Sequence, residues 1–258
     1  MTGRRSALIT GVSRRGGIGF AIARRLAEAG YDLAITHFAP HDAPPPWGGD
    51  DIASVTRGVR EALQPGRRLV DTPADLVDPD APARIVAFAQ QDLGPLDALV
   101  CNHARSGSDG PLLDQTAATL DAHWAVNARA SLLLAREFAA RHNGRPGGRI
   151  IFLTSGQELG PMPGEIAYAA SKAALAGIAK TLAHELAPRG ITVNAVNPGP
   201  VDTDSYVTPE MRDALADRFP FGRWGEPDDP ARLIAWLVSD EGRWVTGQVL
   251  NTEGGFIR

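Results

Sequence analysis

Cysteine is nearly absent: Cys101 is the one thiol in 258 residues. An intrachain disulfide is excluded, and such usage suits a reducing compartment, so a cytoplasmic protein is expected. The six histidines share no ligand spacing with one another or with Cys101, so no metal site is expected. Lysine is almost as rare. Lys172 and Lys180 stand alone, and the positive charge is nearly all arginine scattered along the chain. With a net charge of −4 and no basic tract, nucleic acid is not the expected partner. No apolar run approaches the length of a membrane span. The apolar stretch near the N-terminus is too short for a secretory core and runs straight into a glycine turn, so it reads as a first strand. There is no linker, composition break or internal repeat, and residues 1–258 read as a single domain.

What is present is alternation. Short β-like runs fall at 6–10, 32–38, 68–70, 96–101, 149–154, 191–196 and 248–251, with helix-length segments at 18–29, 51–63, 81–91, 113–141, 166–188 and 227–239. Strands that alternate with helices build a parallel sheet covered on both faces, and right-handed crossovers make it doubly wound. The expected fold is therefore α/β, a Rossmann-like doubly wound parallel sheet of about seven strands. Two stretches break the rhythm. Residues 40–51 are rich in Pro and Gly and read as an irregular loop. Residues 198–229 hold one short helical piece near 209–218 and follow the sixth strand on the ligand side of such sheets, which marks a substrate-side flap.

The first strand leads into TGVSRRGGIGFAIA. Glycines at 11, 16, 17 and 19 between a strand and a helix allow a tight turn and a close approach of backbone N–H groups to a pyrophosphate, with the positive end of the helix dipole behind them. This makes Gly11, Ser13, Arg14, Arg15, Gly17, Ile18 and Gly19 candidate cofactor contacts. The second strand ends Thr36-His37-Phe38, without the Asp or Glu that would accept from a ribose 2′-hydroxyl. With His37 there and two arginines in the turn, NADP(H) is favoured, and NAD(H) stays open.

Tyr168 and Lys172 lie four residues apart in YAASK, one helical turn, and so share a face. A free tyrosine loses its proton near pH ~10, and a fixed ammonium beside it favours the phenolate. Ser155, at the end of the apolar run 149–154, supplies a hydroxyl to orient a substrate oxygen.

Read together, these landmarks resemble the short-chain dehydrogenase/reductase family over nearly the whole chain. The chain is similar to its 3-oxoacyl-carrier-protein reductase-like branch through GRIIFLTS, YAASKAAL, ITVNAVNPGPVDT, FPFGRWGEP and VTGQVLNTEGG. The resemblance implies a catalytic tetrad. Asn127 in WAVNARA matches the asparagine that holds a relay water, and Ser155 the serine that polarises the carbonyl. Tyr168 matches the acid–base group, and Lys172 the lysine that tunes it and holds the nicotinamide ribose. It also implies cofactor contacts at Asp75 and Leu76 beside the adenine, at Asn102, and at Pro198, Gly199, Val201 and Thr203 beside the nicotinamide. A small carbonyl or alcohol substrate and a homotetramer or homodimer follow from the same likeness.

The chain departs from the family pattern in places. Five residues separate Gly11 from Gly17, two more than usual, and Cys101-Asn102-His103-Ala104 stands where Asn-Asn-Ala-Gly is common. His103 is open to two readings, a wall of the substrate pocket or a structural histidine with its ring hydrogen-bonded. The pocket is expected to be lined by His103, Arg105, Gln157, Glu158, Met162 and the flap near Tyr206. Trp47 in the proline loop has no assigned role. The leading expectation is an NADPH-dependent ketoreductase. An NAD-dependent alcohol or sugar dehydrogenase and a catalytically silent cofactor-binding sensor are the alternatives.

Overall fold

A computed structural model describes residues 4–42, 48–204 and 207–258. Seven strands form one sheet: β1 (Arg5–Ile9), β2 (Tyr31–His37), β3 (Leu69–Pro73), β4 (Ala98–Cys101), β5 (Gly148–Leu153), β6 (Ile191–Asn197) and β7 (Val249–Asn251). Their order is β3-β2-β1-β4-β5-β6-β7 and every pairing is parallel. The helices are α1 (Ile18–Glu28), α2 (Ala39–Asp42), α3 (Ile52–Arg60), α4 (Ala81–Leu93), α5 (Ala117–His123), α6 (Ala130–Arg141), α7 (Ile166–Leu186), α8 (Pro209–Leu215) and α9 (Asp228–Val238).

Successive side chains on a strand point to opposite faces, so a strand covered on both sides must be apolar throughout. In β1, Leu8 enters one core with Val86 of α4, Leu134 and Phe138 of α6, and Leu175 of α7. Its neighbours Ala7 and Ile9 enter the other, with Ile22 and Leu26 of α1, Val55 and Val59 of α3, and Ile234 and Leu237 of α9. The doubly wound architecture expected from the alternation is thus realised, with α4, α6 and α7 on one face and α1, α3 and α9 on the other.

The expected single helix over 113–141 is not. A 3₁₀ turn at Leu112–Asp114 comes first, and α5 then starts at Ala117 because the Thr116 hydroxyl accepts the Thr119 N–H at 3.1 Å. A π-helical stretch, Trp124–Arg129, separates α5 from α6. Such wide turns occur mostly as single insertions in α-helices, frequently at functional sites, and this one carries Asn127. Elsewhere the proline loop opens with the short helix α2, and Trp47 lies outside the described residues. The segment 198–229, expected as a flap, holds α8 and a parallel bridge between Val201 and Gly225, and Tyr206 likewise lies outside the described residues.

Leu134 is fully buried. Truncation of Leu134 to Ala therefore lowers unfolding free energy by about 2–5 kcal/mol, to be read from urea denaturation of the two proteins under the same conditions.

Candidate functional site

β1 is flanked by β2 on one side and β4 on the other, so the chain order reverses there. A crevice opens at such a switch point, beyond the carboxyl ends of the strands, and the glycine turn sits over it. Gly11 has a left-handed φ of 72°, and a Cβ on it would lie 2.7 Å from the His103 backbone. A Cβ on Gly19 would lie 2.5 Å from both Gly11 O and Asn102 Nδ2. The turn is therefore closed against β4, and the Asn102 amide holds it by donating to Thr10 O at 3.1 Å and Gly11 O at 2.9 Å. Gly17 occupies the N-cap of α1 with no side-chain cap, followed by Ile18. The first N–H groups of that helix have no intrahelical partner. A cradle without Cβ atoms at the amino end of a helix fits a pyrophosphate.

The two arginines of the turn diverge. Arg14 donates to Thr203 O at 3.2 Å and Asp204 O at 2.9 Å, which ties the turn to the flap. Arg15 runs the other way, to Ser54 O at 3.0 Å, with its guanidinium 5.5 Å from the Phe20 ring centroid. Ser13 accepts the Phe38 N–H at 3.1 Å, joining the turn to the end of β2, where His37 Nε2 lies 3.4 Å from Asp71. Asp50 accepts the Arg15 N–H at 2.5 Å, an acid that the strand-end reading did not anticipate because it follows a loop. Asp75 is exposed and accepts the Val77 N–H, while the Leu76 side chain is buried in the core. Gly199 has a φ of 73°, and a Cβ there would lie 2.8 Å from Glu253 Cα, while its N–H is held by Asn197. Pro198, buried Val201 and Thr203 continue that segment into the flap.

Ser155 follows β5, and its N–H donates to Gln157 Oε1 at 3.1 Å. Lys172 is 2% exposed, and its ammonium donates to Leu153 O at the end of the same strand, at 2.9 Å. Burial pushes its pKa down to about 8. The ammonium lies 5.7 Å from the Tyr168 ring centroid, as the one-turn spacing requires. Asn127 is fully buried, and both of its amide donors are used, one on Arg105 O at 3.1 Å and one on Ser171 Oγ at 2.9 Å. Its Oδ1 accepts the Arg105 N–H at 2.6 Å. The Ser171 hydroxyl passes the chain on to Tyr168 O at 2.7 Å.

His103 resolves to the structural reading and leaves the expected pocket lining. A carbonyl only accepts, so the contact of Nε2 with Val126 O at 3.0 Å puts the proton on Nε2. Nδ1 then accepts from the Thr10 hydroxyl at 2.6 Å. Burial, with the Lys172 charge, pushes the imidazole down to about 3, so it stays neutral. The ring braces the ends of β1 and β4 against the π-helical turn. Burial also pushes the Cys101 thiol up to about 12, which leaves it unreactive.

Like Asp50, a second acidic residue here is marked by no sequence motif. Asp109, in the β4–α5 loop, accepts N–H groups from Tyr168 at 2.8 Å, Gly110 at 2.8 Å and Ala167 at 3.2 Å, and the Gln115 amide at 2.9 Å. Burial alone would raise its pKa, but these donors outweigh it and hold the carboxyl below its usual range. Nothing at residue 109 announces a bond to residues 58 and 59 positions away.

No group of metal-ligating side chains occurs among the described residues, and no helix there is long and apolar enough to cross a membrane. A family model described as enoyl-(acyl carrier protein) reductase matches residues 11–257. An oxidoreductase of Bacillus subtilis (strain 168), YjdA, is 46% identical over 98% of this chain and 96% of its own length. The 3-oxoacyl-[acyl-carrier-protein] reductase FabG of Staphylococcus epidermidis is 32% identical over 97% of this chain and 98% of its own. Among solved structures, a short chain dehydrogenase from Burkholderia cenocepacia J2315, in complex with NADP, superposes with a TM-score of 0.83 at 36% identity, covering 97% of each chain. With the sheet order, the glycine cradle and the Ser-Tyr-Lys constellation on the same scaffold, the chain belongs to the short-chain dehydrogenase/reductase family of oxidoreductases.

Proposed function

We propose that the protein reduces a ketone to a secondary alcohol with NADPH, using Tyr168 as the acid. The observation that carries this reading is the buried Lys172 ammonium, 5.7 Å from the Tyr168 ring and anchored to the strand that delivers Ser155. When bound, a reduced nicotinamide supplies the hydride. Gly11, Gly17, Ile18 and Gly19 would cradle its pyrophosphate, with Ser13 and Arg15 toward the adenosine ribose and Pro198, Gly199, Val201 and Thr203 toward the nicotinamide.

The residues' own work is proton transfer and orientation. Tyr168 gives its phenolic proton to the substrate oxygen, and Ser155 donates a hydrogen bond to that same oxygen as negative charge develops. Lys172 favours the phenolate left behind. Asn127 has spent both amide donors, so it would meet a relay water as an acceptor, through Oδ1 or through its main-chain carbonyl, which accept from the Arg105 N–H at 2.6 Å and the Ser131 hydroxyl at 2.7 Å. In the oxidative direction the same groups run in reverse. The exposed Leu120 and Trp124 of the α5 region flank Ala167 and Ala170 of α7, an apolar face suited to a symmetric homotetramer or homodimer.

NADP(H) is the preferred cofactor in this reading because β2 ends without a carboxylate and Arg15 is exposed at the turn. Asp50, bonded to the Arg15 N–H, favours a second reading, an NAD-dependent alcohol or sugar dehydrogenase, because its carboxylate would oppose a 2′-phosphate. A screen of diverse ketones and alcohols with both cofactors decides between them. Reduction with kcat/KM higher for NADPH is expected, and a strong preference for NADH with alcohol oxidation would select the other.

Tyr168→Phe lowers kcat by about 10²–10⁴-fold and leaves NADPH affinity unchanged, measured by cofactor fluorescence. Near-normal turnover in that variant would remove Tyr168 from the mechanism. With only two lysines in the chain, the ammonium groups can be titrated one by one by NMR. One signal, absent in Lys172→Met, loses its proton as pH rises through about 8. A signal for Lys172 that stays protonated past pH ~10, the range of solvated lysine, would contradict the buried environment.

A further inference from the structure

We infer that Asp109 is a positioning residue for catalysis, acting as a remote N-cap that fixes the first turn of α7 and so the placement of Tyr168. The inference rests on the assignment of Tyr168 as the proton donor.

An α-helix opens with N–H groups that have no partner inside it. The residue just before the helix normally covers the second and third of these with a short side chain. In α7 that residue is Glu165, which makes no side-chain cap bond. The donors in question belong to Ala167 and Tyr168, and both are taken by Asp109 instead. A carboxylate is the strong form of this acceptor, and its charge also suits the positive end of the helix. Asp109 is in turn held by the Gly110 N–H and the Gln115 amide. Its loop is pinned upstream where Arg105 exchanges two hydrogen bonds with Asn127. The backbone of Tyr168 is thereby gripped from both sides of its peptide units, by Asp109 on its N–H and by Ser171 on its C=O at 2.7 Å. Rotation or fraying of this one turn would move the phenol relative to Ser155, which stands on a different element. Lys172, a turn further on and tied to β5, would not follow.

The test combines Asp109→Ala with the restoring double variant D109A/E165D, which supplies a local cap in place of the remote one. Asp109→Ala is expected to lower kcat by about 10–100-fold, the scale of a small misplacement of a reacting group, with NADPH affinity unchanged. D109A/E165D should recover most of kcat. Amide hydrogen exchange at Ala167 and Tyr168 should speed up at least tenfold in the single variant and slow again in the double. A fall in melting temperature with kcat intact would overturn the proposal, leaving Asp109 a stabilising cap only. So would loss of kcat that the double variant fails to restore while exchange recovers, which would mean direct contact of Asp109 with substrate. A wild-type protein inactive on every ketone and alcohol tested would instead sink the assignment of Tyr168, and the exchange rates would still report whether Asp109 caps α7.

Discussion

Lys172 carries a positive charge into one of the driest parts of the molecule, and much of the site is arranged around that fact. A solvated lysine keeps its proton to pH ~10.4, and burial brings this one down to about 8. The difference means that holding the charge at neutral pH costs the fold on the order of 3 kcal/mol. The cost fades as pH rises from the folded value toward the solvated one, because the folded form sheds its proton first. Among the described residues a single carbonyl, Leu153 O, is the hydrogen-bond partner. Cys101 and His103 stand in the same interior, and both are neutral at neutral pH, the thiol pushed up and the imidazole down. No carboxylate forms an ion pair with the ammonium among the described residues. A partner of that kind would favour the charged form and offset part of the cost.

The β4–α5 loop supplies the frame. Asn102 shapes the phosphate turn through Thr10 and Gly11, His103 braces the π-helical turn, Arg105 clasps Asn127, and Asp109 caps α7. Four residues within eight positions thus tie together the glycine cradle, the wide helical turn and the helix that carries Tyr168 and Lys172. Each tie is a hydrogen bond with both partners at least partly buried, where an unmet donor or acceptor is expensive. The loop therefore has few alternative shapes that satisfy its own polar groups.

The seven strands were legible because a parallel sheet covered on both faces requires nearly continuous apolar runs bounded by turn residues. Each predicted run overlaps its strand, with the ends displaced by a residue or two except in β3, which continues three residues past its run. The glycine cradle and the Tyr-Lys pair were legible for a different reason, since their spacing is a local property of a turn and of a helix. The long segment 113–141 carries the signal of one helix because hydrophobic periodicity survives a short break. Thr116 was available as a stop-and-start signal, but a one-residue widening at Trp124–Arg129 leaves no mark on composition. Asp109 and Asp50 were invisible because each acts on a main-chain N–H far away in sequence. His103 could be noticed as unusual, yet only the contacts of its two ring nitrogens distinguish a brace from a pocket wall.

The bond from Asn102 to Gly11 has an implication for the order in which the molecule can be built. The phosphate turn leaves the ribosome well before β4 does, and the amide that shapes it is made 91 residues after Gly11. Between those moments β1, β2 and β3 can pair, since they are neighbours in the sheet, while the turn above them lacks its tie. A nascent chain that ends short of β4 thus has a half-sheet without a finished nucleotide seat, and capture of a dinucleotide must wait until translation has passed residue 102.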